Sequence, residues 1–143
     1  MRNRSVPCDT VLPHVVYDDV DRAIEYLTRT LGFTEYYRYG DPTAGAQIRL
    51  GATPIMLRSS RTDSRTPREL GKWTQSLTLY VEDVEVHYAM AKAAGAVITD
   101  ELRQTIYGER VYNVEDFAGH PWEFSQHVRD IPPEEWGARV AQP

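Results

Sequence analysis

The chain has 143 residues, 21 of them acidic and 16 basic, for a formal net charge of −5, with a single cysteine. A chain of this length forms one compact unit that buries roughly two thirds of its unfolded surface, so it needs no disulfide or structural metal to fold. The acidic balance argues against a grip on nucleic acid or anionic lipid; the absence of a signal-type leader or a long apolar run leads us to expect a cytoplasmic protein with no membrane partner, and lone Cys8 fits a reducing compartment.

Taken in order, "TVLPHVVY" (10–17) alternates and is rich in β-branched residues, which predicts a strand. Asp19 is then placed to cap a helix whose apolar stripe is Val20, Ala23, Ile24, Leu27 and Leu31, with Gly32 ending it. "FTEYYRYG", "GAQIRLG" and "TPIMLRS" follow as three short runs between turn residues, expected to be consecutive antiparallel strands. Residues 59–72 have no apolar period and read as a linker or surface loop. Arg58 just before it clusters with Arg61, Arg65 and Arg68 within it; they could attract an anion, although a solvated loop is the commoner fate of such a run.

The plan then repeats. "VYDDVDRAIEYL" (16–27) lies over "YVEDVEVHYAMA" (80–91) at an offset of 64, and "ATPIMLRS" (52–59) over "GHPWEFSQ" (119–126) at an offset of 67, both differences read from the numbering. "QSLTLYV" is the strand of the second half and Asp83 its helix cap, with Val84, Tyr88 and Ala91 as the stripe. "VITDELRQ", "ERVYNVE" and "PWEFSQHV" are its three further strands. The tail "DIPPEEWGARV" reads as a short capped helix anchored by Trp136. The expected fold is α+β: one domain over 1–143, built from βαβββ modules at 9–58 and 74–128, with a linker at 59–73 and a tail at 129–143. Their sheets would curve around a cavity.

These features, carried by "VVYDDVDRAIEYLTRTLGF", "YVEDVEVHYAMAKAAGA" and "YGERVYNVEDFAGHPWEF", resemble the vicinal oxygen chelate superfamily, which holds glyoxalase, bleomycin-resistance and dioxygenase proteins. The resemblance spans nearly all of 9–128. It implies a metal-ligand position on the first and last strand of each module, here Leu12, Met56, Ser76 and Glu123, of which only Glu123 suits a divalent ion. His14, two residues after Leu12, shares its strand face and is the best substitute ligand or base. His120 has the wrong parity and is expected to shape a turn. His127 lies about 13 Å along the strand from Glu123 at about 3.3 Å per residue, and His87 falls on the second helix.

The favoured expectation is therefore a metal-independent protein that sequesters a small aromatic or cationic molecule and needs no cofactor. The alternative is a lyase, isomerase or dioxygenase that uses zinc, nickel, iron or manganese on a substrate with vicinal oxygens, with Glu123 and His14 in catalysis. Leu12, His14, Met56, Arg58, Ser76, Thr78, Tyr107, Arg110, Tyr112 and Glu123 are the expected pocket residues. The resemblance also implies a homodimer, with an N-terminal arm at Pro7, Cys8 and Asp9 that crosses to the partner.

Overall fold

A computed structural model describes residues 2–6, 10–61 and 63–142. The N-terminal arm at Pro7, Cys8 and Asp9 lies outside the described residues. The chain packs as two units: the first comprises Met1–Thr74 with Phe117–His120, and the second Gln75–Asp116 with Pro121–Pro143.

In the first unit the order is β1 (His14–Tyr17), α1 (Val20–Thr30), β2 (Thr34–Tyr39), β3 (Gly45–Leu50), β4 (Thr53–Ser59) and α2 (Pro67–Leu70). The four strands form one sheet in the order β1-β4-β3-β2, with β1 parallel to β4 and the other pairs antiparallel. β1 is shorter than the alternation over 10–17 predicts. Pro13 has no amide to donate, so the ladder starts at His14 while the Pro13 carbonyl accepts from the Met56 amide at 2.9 Å. Leu12 thus precedes the strand.

The Asp19 carboxylate accepts from the Arg22 amide at 3.0 Å and starts α1. At the other end Gly32 takes φ 75°, which lets the Phe33 amide turn back to the Leu27 carbonyl. The stripe Val20, Ala23, Ile24 and Leu27 is buried on β3 and β4. Val15 and Tyr17 of β1, Ala46 and Ile48 of β3, and Ile55 and Leu57 of β4 are buried with it. Strand alternation sends His14, Val16, Gln47, Met56 and Arg58 to the opposite, open face.

Helix α2 replaces part of the expected loop. Thr66 and Glu69 form a reciprocal capping box and Pro67 occupies the first turn, so "TPRE" is itself a helix-start signal. Phe117–His120 packs with this unit: Phe117 lies against Tyr17 and Tyr26, and the His120 imidazole bonds the Val16 carbonyl at 2.6 Å. His120 thus bonds backbone as expected, but that of β1 rather than of its own turn.

The second unit contains β5 (Leu77–Tyr80), α3 (Val84–Ala93), β6 (Val97–Gln104), β7 (Glu109–Glu115) and β8 (Pro121–His127). Its sheet order β5-β8-β7-β6, with β5 parallel to β8, reproduces the first sheet. Asp83 caps α3 through the Glu85 and Val86 amides. Leu79, Val84, Ala91, Tyr112, Val114, Trp122 and Phe124 form the core. The expected capped tail helix is a single 3-10 turn, Pro133–Trp136, with no side-chain cap; Trp136 rests edge-on against Tyr107. Two modules of βαβββ are present.

Candidate functional site

On the open face of the first sheet, the strand register aligns His14 with Met56, Met56 with Gln47 and Gln47 with Tyr37. Gln47 is fully buried and ties this row together. Its amide nitrogen lies 3.1 Å from the Ser5 carbonyl and 3.3 Å from the Tyr37 hydroxyl, and its oxygen accepts from Arg49 at 3.2 Å. The Met56 thioether accepts the Tyr37 hydroxyl at 3.6 Å. The next row runs Val16, Arg58, Gly45 and Tyr39. A Cβ on Gly45 would lie 2.3 Å from the Tyr39 hydroxyl, so the missing side chain makes room for that ring.

At the β1 and β4 end of this face a cavity of about 260 Å³ is lined by His14, Val16, Arg58, Ser59, Arg61, Asp63 and Ser64. Of the four clustered arginines, Arg65 instead pairs with Glu69 at 3.6 Å, and Arg68 is exposed. Two arginines therefore address the cavity and two do not.

The equivalent row of the second sheet is Thr78, Glu123 and Asn113. The Thr78 hydroxyl donates to one Glu123 oxygen at 3.0 Å, the Asn113 amide to the other at 3.3 Å, and Arg103 lies 3.5 Å from that second oxygen. Glu123 is thus a half-buried carboxylate whose charge is met by a cation. Further along the same face, buried Glu109 accepts from the Ser125 hydroxyl at 3.0 Å and sits 2.9 Å from His127.

Three of the expected pocket residues do not lie on an open face. Tyr112 is fully buried on the helix side, bonded to His87 of α3 at 2.6 Å and stacked on Phe124. Arg110 shares that parity and reaches Glu85 of α3 at 2.8 Å. Tyr107 occupies the β6–β7 turn. The β7 residues on the face away from α3 are their alternates, buried Val111 and half-buried Asn113, and period two alone distinguishes the sets. Ser76, like Leu12, precedes its strand. The residues missed from sequence are Val16, Ser59, Asp63 and Ser64 of the cavity wall, and Gln47, Asn113 and Arg103. Gln47 was legible as a polar residue out of phase with Ala46 and Ile48; Arg103 was not, because irregular pairing between Asp100 and Arg103 resets its parity.

Leu12, Met56, Ser76 and Glu123 do not fit a divalent metal. An alkyl chain, a thioether and a hydroxyl are poor donors to such ions, and both oxygens of the one carboxylate are already engaged, one by a cation. Among the described residues no three His, Cys, Asp or Glu side chains are grouped to hold an ion.

Residues 10–124 match the Glyoxalase/Bleomycin resistance protein/Dioxygenase superfamily model. An uncharacterised protein of Mycobacterium bovis is 30% identical over 127 residues, covering 83% of this chain and 84% of the relative. Among solved structures, TioX from Micromonospora sp. ML1 superposes with a TM-score of 0.71 at 30% identity, covering 85% of this chain and all of that one. The fosfomycin resistance protein FosX from Listeria monocytogenes matches at 0.63 with 13% identity over 90% of this chain and 97% of its own, a likeness of fold alone.

Proposed function

Because the chain belongs to the Glyoxalase/Bleomycin resistance protein/Dioxygenase superfamily, its function is to be sought on the open sheet faces, and we propose that it is a metal-independent binder of a small planar molecule. The observation that carries this reading is the state of Glu123. Its carboxylate is bonded by Thr78 and Asn113 and paired with Arg103, while the other three ligand positions hold Leu12, Met56 and Ser76. Such a site positions a ligand by hydrogen bonds and contact rather than by Lewis-acid chemistry.

Of the two ligand classes expected from sequence, the aromatic one is retained. A half-exposed Tyr39 and an exposed Tyr80 offer ring faces on the open sides of the two sheets. A cationic ligand would meet Arg58 and Arg61 in the cavity of the first unit. We further propose a cytoplasmic homodimer, since β1 and β5 are short edge strands whose outer hydrogen-bonding groups a second copy can cover; light scattering tests this, and a monomer at all concentrations refutes it.

The test of the binding reading uses protein purified without chelator or histidine tag. Its metal content is measured before and after exposure to nickel, zinc, iron and manganese, and planar aromatics are then titrated against tryptophan fluorescence. Saturable binding unchanged by a chelator is the expected result. One retained ion per site, together with turnover that the chelator abolishes, would refute the reading.

A further inference from the structure

We propose that the cavity of the first unit is an oxyanion subsite, so that the bound molecule carries a carboxylate or phosphate-type group on its planar body. This rests on the reading of the chain as a small-molecule binder and names the chemistry of the ligand.

Five arginines stand on the strands, and four of them have partners. Arg38 pairs with Glu35 and Asp21, Arg49 bonds Gln47 and lies 3.6 Å over the Tyr36 ring, Arg103 meets Glu123, and Arg110 meets Glu85. Arg58 has no hydrogen bond or ion pair among the described residues, although it is half-buried on β4, an inner strand between β1 and β3. Holding a guanidinium partly out of water without an acceptor is unfavourable, and the group is built to take two parallel bonds from a planar oxyanion.

The surroundings complete the case. Arg61 supplies a second cation, Ser59 and Ser64 supply hydroxyls, and Val16 offers an apolar wall for the ligand body. The loop that carries Arg61 is internally tied. Its amide donates to the Ser64 hydroxyl at 2.9 Å, and the Arg65 guanidinium bonds the carbonyls of Arg61 and Ser64. Asp63 is the opposing charge in the wall; two arginines against one carboxylate leave the cavity cationic. At about 260 Å³ it is smaller than most drug-sized sites and takes one ring with its substituent.

Benzoate, phenyl phosphate and neutral benzamide are titrated calorimetrically into the full chain and its variants. Wild type is expected to bind at least one of the two anions about ten- to a hundredfold more tightly than benzamide, the range of a charge-assisted bond. Which anion wins distinguishes a carboxylate ligand from a phosphate one. Arg58→Gln and Arg61→Gln should each weaken anion binding more than benzamide binding and so erode that preference, and Asp63→Asn should increase it. Arg61 lies on a loop, so its variant reads the charge even if Arg58→Gln lowers stability. Equal binding of anions and benzamide, or a preference that survives both arginine variants, overturns the subsite while the binding reading stands. Anion preference in a protein that also holds an ion needed for turnover keeps the subsite and overturns the metal-free reading. Failure of all three probes to saturate overturns the subsite.

Discussion

Replacing Trp122 by Phe perturbs the corner where β7 hands over to β8. Trp122 is 1% exposed, and its indole N–H donates to the carboxylate of Asp116, 2% exposed, at 3.0 Å. The two residues flank Phe117–His120, which leaves the second unit to pack in the first, so this bond pins together the ends of that excursion. Phe is smaller than Trp by about 40 Å³, which at about 24 cal/mol per Å³ leaves a defect that costs about 1 kcal/mol. The lost bond to a charged acceptor costs about 1.5–3 kcal/mol more, for a total of about 2.5–4 kcal/mol. Asp116→Asn keeps an amide oxygen as acceptor and should cost about 1 kcal/mol. Urea unfolding of both single variants and the double should show a coupling of about 1–2 kcal/mol. A Trp122→Phe loss below about 1 kcal/mol that adds independently to the Asp116→Asn loss would refute the reasoning.

Four further outcomes follow from other sites. Gly108→Ala should destabilise by at least about 2 kcal/mol in thermal or urea unfolding, because Gly108 has φ 92° and a Cβ there would lie 1.8 Å from the Arg129 carbonyl oxygen. Thr66→Ala removes one side of the capping box and should cost about 1 kcal/mol, with amide exchange accelerating first at Glu69 and Leu70. Glu123→Gln keeps an acceptor for Thr78 and a half-exposed position, so stability should change by no more than about 1 kcal/mol, and the metal content of the purified protein should not change. The Glu35 carboxyl is held below its ordinary pKa chiefly by its hydrogen bonds to Arg38. Its contribution is therefore present above pH 4.5, the ordinary value, and lost as pH falls through the lowered one; Arg38→Ala should flatten that part of the acid-unfolding profile, and an unchanged slope would contradict the assignment.

Local signals in this chain carried the elements, and periodicity carried their number. Asp19 and Asp83 cap helices because an N-cap carboxylate depends only on the amides that follow it. Repeat offsets of 64 and 67 put His14 over Thr78 and Met56 over Glu123, and His14 pairs with Met56 in the first sheet as Thr78 pairs with Glu123 in the second. Facing was harder to read. Tyr112 and Arg110 differ from the open-face residues of β7 by one step, and a chain rich in tyrosine offers no composition cue for which step faces α3. The cavity was least legible. That Arg58 has no partner among the described residues depends on how the folded chain places every carboxylate, Asp63 in the cavity wall included, and the position of Arg61 near it depends on a loop held by Ser64 and Arg65.

The segment Phe117–His120 also sets an order of events during synthesis. The first module has all its strands once Ser59 has been made, yet its packing on Tyr17 and its bond to the Val16 carbonyl wait for Phe117 and His120, about sixty residues later at the sequence spacing. Until then Tyr17 and the end of β1 lack their final cover, and the nascent chain presents an unfinished apolar edge to whatever meets it. The second module cannot close earlier either, since β5 pairs in parallel with β8, its last strand. Both halves therefore finish within a few residues of one another, a schedule that favours concerted folding over stepwise assembly and makes truncation anywhere before β8 costly to both.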